Sequence, residues 1–227
     1  MQIEKIITLK NYLLHLLSFD NHKKIRSKIL KKSKEIKTYN YNSYYFYQSL
    51  SSINLKGLRD SKSRVNRLKL NNFIENKNIL DIGTNIGSII FELNEIYNHA
   101  TGIEYSENLI DIANILKSYL KKSKTEFICA DFLTHNFKNK FDIILSLANH
   151  HTFDKGINNT SLYFSKIDSL LNNKGILVFE SHSPNYLNDY DEIFSEYLNK
   201  YKLIGFGIYE FGNIFDRGRK FALLKKN

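Results

Sequence analysis

From residue 78 onward, short apolar runs alternate with stretches of helical spacing, and that alternation admits few folds. A parallel sheet with crossover helices requires it, because its strands are buried on both faces and a helix must return the chain between them. The spacing predicts strands at 78–82, 100–104, 126–130, 141–147 and 176–180, with helices at 88–97, 106–119 and 162–171. The tail breaks the alternation. Two strand-like runs, 202–211 and 220–224, are separated by a turn at 213–218 with no helix between them, so an antiparallel hairpin is expected to close the sheet. The first 70 residues read as helices interrupted by Tyr39, Tyr41, Tyr44, Tyr45 and Tyr47, a stretch too aromatic for a free linker. The expected organisation is a helical extension or substrate cap over 1–70 and an α/β domain over 71–227, with no internal repeat.

Composition removes several classes. The chain has 227 residues, 42% hydrophobic and 14% aromatic, too much apolar surface for a disordered protein. No run approaches the ~20 apolar residues of a membrane helix. The first apolar run, 12–19, is broken by His15 and Ser18 and lacks a small-residue cleavage site, so it reads as a retained helix. One cysteine, Cys129, cannot form an intrachain disulfide, which fits a reducing, cytoplasmic location. The net charge of +10 would suit a phosphate-rich partner, but only six of the basic residues are arginines, and the lysine surplus matches codon bias. Lys23, Lys24, Arg26, Lys28, Lys31, Lys32, Lys34 and Lys37 could face nucleic acid. The favoured reading is a solvated helix face interleaved with Ile25, Ile29 and Leu30, since no stacking aromatics interrupt the charges.

The segment Ile79 to Gly87 places Gly83 and Gly87 in the turn between a buried strand and a helix, where a ligand can approach the backbone. Asn85 stands where a dinucleotide fingerprint has its middle glycine. Asp81 precedes the turn, a poor neighbour for a pyrophosphate but a good one for an ammonium group. Glu104 ends the second predicted strand 23 residues further on, where a carboxylate can accept from both ribose hydroxyls. Asp131 ends the third, beside Phe132, whose ring is expected to offer a face to an adenine. Three acids ending three successive strands open onto one crevice.

These residues carry a resemblance. Asp81-Ile82-Gly83-Thr84-Asn85-Ile86-Gly87, Gly102-Ile103-Glu104, Ala130-Asp131-Phe132 and Phe141-Asp142-Ile143-Ile144 resemble the successive motifs of class I S-adenosylmethionine-dependent methyltransferases. The likeness runs from about residue 78 to the end and implies a Rossmann-like sheet with a terminal antiparallel hairpin. It implies S-adenosylmethionine as cofactor, with Asp81 and Gly83 near its methionine part, Glu104 and the adjoining Tyr105 at the ribose, and Asp131 at the adenine. A fainter resemblance links the entry to the sheet with sugar methyltransferases and tRNA wobble-uridine carboxymethyl transferases.

That entry segment holds Arg59, Arg64 and Arg67 with Lys56 and Lys62, a cluster in an arginine-poor chain. A guanidinium grips a carboxylate with two parallel bonds, and Arg64 is expected to clamp the cofactor's carboxylate. After the fourth strand, His150 and His151 are candidates for the general base that takes the acceptor's proton. Asn149 is expected to orient the acceptor or the cofactor amine, and Glu180 to act as an orienting carboxylate at the same crevice. His150, His151, Asp154 and His182 have no standard metal-site spacing, so no metal is expected. The expected acceptor is a small molecule or a sugar hydroxyl. RNA modification and a non-catalytic cofactor-binding subunit stay open as alternatives, and oligomeric state is not legible.

Overall fold

The computed structural model describes residues 20–33, 46–149, 160–180, 200–209 and 219–227, with Lys10, Leu13, Leu14 and Glu35. Among them, seven strands form one sheet: β1 (Asn78–Ile82), β2 (His99–Glu104), β3 (Thr125–Cys129), β4 (Phe141–Leu147), β5 (Leu171–Glu180), β6 (Tyr201–Tyr209) and β7 (Arg219–Lys226). Their spatial order is β3-β2-β1-β4-β5-β7-β6. The first five pair in parallel, and β7 lies antiparallel between β5 and β6. The closing hairpin is thus present in its pairing, while its turn lies outside the described residues. Strand order reverses between β1 and β4, and a sheet that reverses there opens a crevice at its carboxyl ends.

Burial explains why the sequence alternates as it does. Ile79 packs with Ile143, Leu145 and Val178 on one face of the sheet, while Leu80 and Ile82 pack with Ile144, Leu177 and Phe179 on the other. The helices are α1 (Lys23–Ser33), α2 (Ser61–Arg67), α3 (Ser88–Glu92), α4 (Glu107–Leu120) and α5 (Thr160–Leu170). Along α4 the buried residues Leu109, Ile112, Ala113 and Leu116 recur at helical spacing. The helix stops at Lys121, whose left-handed φ of 56° lets the Lys121 and Lys122 N–H groups return to the Lys117 carbonyl.

One expectation changes. The helix predicted over 88–97 ends at Glu92, because Leu93 turns extended and the Asn94 N–H donates to Asn71 Oδ1 instead of the preceding turn. The chain then brings Tyr97 back into the core, with its hydroxyl 3.1 Å from Thr125 Oγ1. Val65, Leu68 and Leu70 share one core with Ile79 and Ile143. On α1, Ile25, Ile29 and Leu30 are buried, as is Arg26, whose Nη1 reaches both Asp20 carboxylate oxygens and the Ile53 carbonyl. Lys32 pairs with Asp111 and Glu35. Part of the basic run therefore serves internal contacts. No helix among the described residues is long and apolar enough to cross a membrane.

Gly87 joins the glycine turn to α3 at φ 79°, and a Cβ there would lie 2.5 Å from Phe127 Cζ. Gly87→Ala is expected to destabilise the fold by about 2–3 kcal/mol through backbone strain and that clash. A lowered urea midpoint at unchanged slope would check this.

Candidate active site

Asp81, in β1, is buried with its Oδ2 accepting from Thr84 Oγ1 at 2.7 Å. Burial pushes its pKa up to about 7, against the lowering effects of the Thr84 hydrogen bond and of Arg64; Glu104 raises it further. Glu104, at the end of β2, accepts from the Asn85 N–H at 3.3 Å and the Ser106 N–H at 3.2 Å. Burial raises its pKa, and the backbone N–H groups of Ser106, Asn85 and Tyr105 oppose that rise. Asp131 follows β3 in the exposed turn, where Oδ1 caps the Leu133 and Thr134 N–H groups.

The turn between β1 and α3 is left-handed at Gly83 (φ 66°), Asn85 (φ 59°) and Gly87 (φ 79°). Asparagine is one of the few side chains that tolerates this region, which accounts for its presence where a glycine is usual. The Gly83 and Thr84 N–H groups donate to the Ile103 carbonyl, Asn85 to Glu104, Ile86 to Asn85 Oδ1, and Gly87 to the Thr84 carbonyl. With these N–H groups already donating inside the protein, the turn lacks the ring of open amides that cradles a pyrophosphate. Acidic groups line the crevice instead, which suits an ammonium, a ribose and an exocyclic amine. The donor set therefore fits S-adenosylmethionine better than a dinucleotide.

A sequence profile described as a methyltransferase domain matches residues 74–217. The chain belongs to the class I S-adenosylmethionine-dependent methyltransferases. A phosphoethanolamine N-methyltransferase of Plasmodium falciparum (isolate 3D7) is 28% identical over 173 residues, which are 75% of this chain and 62% of that protein. The match thus spans less than two thirds of that relative's length. Among solved structures, the N-methyltransferase NodS of Bradyrhizobium japonicum WM9 in complex with S-adenosyl-L-homocysteine superposes at a TM-score of 0.59, with 17% identity, over 73% of this chain and 85% of that one. The magnesium protoporphyrin IX methyltransferase ChlM of Synechocystis PCC 6803, solved with bound S-adenosylmethionine, gives 0.59 at 15% identity over 93% and 99%. These likenesses are to the fold.

Within this methyltransferase several expected site residues take different places. Phe132 is not an open adenine platform: its ring is fully buried, edge-on to Tyr163 at 5.4 Å, because the chain turns inward after Asp131. Tyr105 is the aromatic that remains open beside Glu104, 59% exposed. Arg64 does not offer its fork to a ligand. Its Nε and Nη2 grip Glu180 at 2.8 and 2.5 Å. Glu180 is likewise no free orienting carboxylate, since Arg219 Nη1 also reaches it at 2.8 Å. Burial would raise the Glu180 pKa, but Arg64 and Arg219 together hold it below the usual value. Arg219 Nη2 extends to the Tyr47 hydroxyl at 2.7 Å. Tyr47 stood out in the sequence only as part of the tyrosine-rich stretch and Arg219 not at all, because their contact joins residues 172 positions apart. Asn149 is buried beside the glycine turn, whereas His150 and His151 lie outside the described residues, as do Asp154 and His182. Among the described residues, no cluster of side chains could hold a metal ion.

Asp81 sets a pH dependence. Its carboxyl titrates near 3.8 in the unfolded chain and near 7 in the fold, so the folded state binds more protons between those values. Stability of the free protein is therefore expected to fall as the pH rises through that window. Asp81→Asn should flatten the fall, and melting temperatures of both proteins across about pH 5 to 8 would show it.

Proposed function

We propose that this methyltransferase moves a methyl group from S-adenosylmethionine to a heteroatom of a small molecule. The observation that carries the reading is the set of acids Asp81, Glu104 and Asp131 at the ends of three neighbouring strands, around a turn whose amides are already committed. In this reading Asp81 faces the cofactor's ammonium, with Gly83 and Gly87 allowing close approach. Glu104 takes the ribose hydroxyls beside Asn85 and Tyr105, and Asp131 takes the adenine amine. Bound S-adenosylmethionine supplies a methyl on a sulfonium centre, open to in-line displacement. Most of the chain's own contribution is then orientation, together with a base for the acceptor's proton. His150 and His151, directly after Asn149, are the groups proposed for that base.

A hydroxyl acceptor, including that of a sugar, remains the leading choice. The similarity to a phosphoethanolamine N-methyltransferase supports an amine on a small phosphorylated molecule as the second choice. RNA is the weaker reading, because Arg26 and Lys32 of the basic run are engaged within the protein.

Calorimetry is expected to show binding of S-adenosylmethionine and S-adenosylhomocysteine and far weaker binding of NAD. Equal or tighter NAD binding would overturn the reading. Hydrogen bonds to a charged acceptor contribute roughly 1.5 to 3 kcal/mol, so Glu104→Ala should weaken cofactor binding by about one to two orders of magnitude. Labelled methyl donor added with fractionated cell extract should place label in small molecules; label in RNA would establish the alternative acceptor.

A further inference from the structure

Chain direction at the end of β4 is set by Ala148, which sits in the left-handed region at φ 58°. This conformation is uncommon for any residue but glycine, asparagine and aspartate, so the surrounding structure must hold it. Two contacts do so on opposite sides of β4. The Ala148 N–H donates to the Glu180 carbonyl of β5 at 3.0 Å. On the other side the Asn149 side chain folds back, and its Nδ2 donates to the Ile82 carbonyl at the end of β1. The assignment of the amide is fixed by its neighbours: a carbonyl can only accept, so nitrogen must face Ile82, and oxygen then faces hydroxyl donors. Asn149 Oδ1 lies 3.1 Å from Ser146 Oγ and 3.0 Å from the Tyr163 hydroxyl, and those two hydroxyls are 2.9 Å apart. All three side chains are buried.

The carbonyl that Asn149 holds belongs to the peptide joining Ile82 to Gly83, the first of the glycine turn. The N–H of that same peptide donates to the Ile103 carbonyl of β2 at 2.9 Å. One peptide plane is therefore pinned from both neighbouring strands, by a backbone carbonyl on one side and by a side chain on the other. Gly83 leaves just enough room: a Cβ there would stand 3.0 Å from Asn149 Nδ2.

We infer that Asn149 is a positioning residue for the methyl-donor site, acting through the Ile82 carbonyl to fix the glycine turn, with Ser146 and Tyr163 fixing Asn149. The inference rests on the proposed donor site and adds a residue that does not touch the donor itself.

The test exploits the need for a donor toward Ile82. An aspartate can donate there only when protonated. Asn149→Asp is therefore expected to bind S-adenosylhomocysteine at least tenfold more weakly than wild type near pH 8, and to recover toward it as the pH falls through the pKa of the introduced carboxyl. Affinity is read as a ratio to wild type at each pH, and the same ratio for Asn149→Ala, which adds no carboxyl, accounts for the titration of Asp81 on β1, Glu104 on β2, Tyr163 on α5 and Glu180 with Arg64 and Arg219. Asn149→Ala should be weak at both ends of the range. Tyr163→Phe, which keeps the bond to Ile82 and removes one bond to Oδ1, should lose only a fewfold. A Asn149→Asp ratio that stays flat with pH, or wild-type affinity in Asn149→Ala, would overturn the inference. Failure of wild type to bind S-adenosylhomocysteine would instead overturn the donor site on which it rests.

Discussion

Glu180 is fully buried and shared by two guanidinium groups, and much of the carboxyl edge of the sheet depends on that contact. A lone carboxylate at this depth would be strongly destabilising, since removing one partner of a buried ion pair typically costs about 3–5 kcal/mol. Its partners come from three parts of the chain. Arg64 brings α2, Arg219 brings the first residue of β7, and Tyr47, through Arg219, brings the segment preceding α2. Arg64 makes the contact with two parallel bonds, which constrains angle as well as distance. It joins the start of β7 and the segment before the sheet to the carboxyl end of β5.

With that edge fixed, the site divides by charge. Arg64 and Arg219 gather around Glu180 at the end of β5, Glu104 ends β2 and Asp131 follows β3, and between these groups lies Asp81 in β1. Burial and Glu104 favour its proton, and Arg64 favours its charge, which leaves it titrating near neutrality. The guanidiniums of Arg64 and Arg219 are already neutralised in part by Glu180, so the charge left at this edge of the sheet is mainly that of the acids.

The strands were legible because a strand buried on both faces must be apolar at every position, and β1 and β4 are nearly so. The acids were legible because each stands at or just beyond the carboxyl end of a predicted strand: Asp81 in β1, Glu104 at the end of β2 and Asp131 after β3. What sequence could not convey was which side chains meet across the sheet. Arg64 was visible as a guanidinium in an arginine-poor chain, yet its partner lies 116 residues away, and the pattern around Glu180 reads equally well as an open strand end. Phe132 fails for a related reason: the residue after a strand-ending acid has two faces to choose from, and only the packing of Tyr163 decides between them. Asn149 was noticed for its position, but its bond to Ile82 depends on the backbone reversal at Ala148, and alanine gives no warning of a left-handed φ. The short α3 shows the same limit, since apolar spacing alone does not reveal where a helix yields to an extended turn.

Asn85 carries a consequence of its own. Glycine at that position would accept the same φ but would leave the Ile86 N–H without the side-chain oxygen that now caps it at 2.9 Å. Asparagine exchanges backbone freedom for a local hydrogen bond, and the loop becomes stiff where a glycine-rich one would be pliant. A loop held in this way has less disorder to surrender when anything settles on it, so part of the ordering cost of an encounter is met within the chain beforehand.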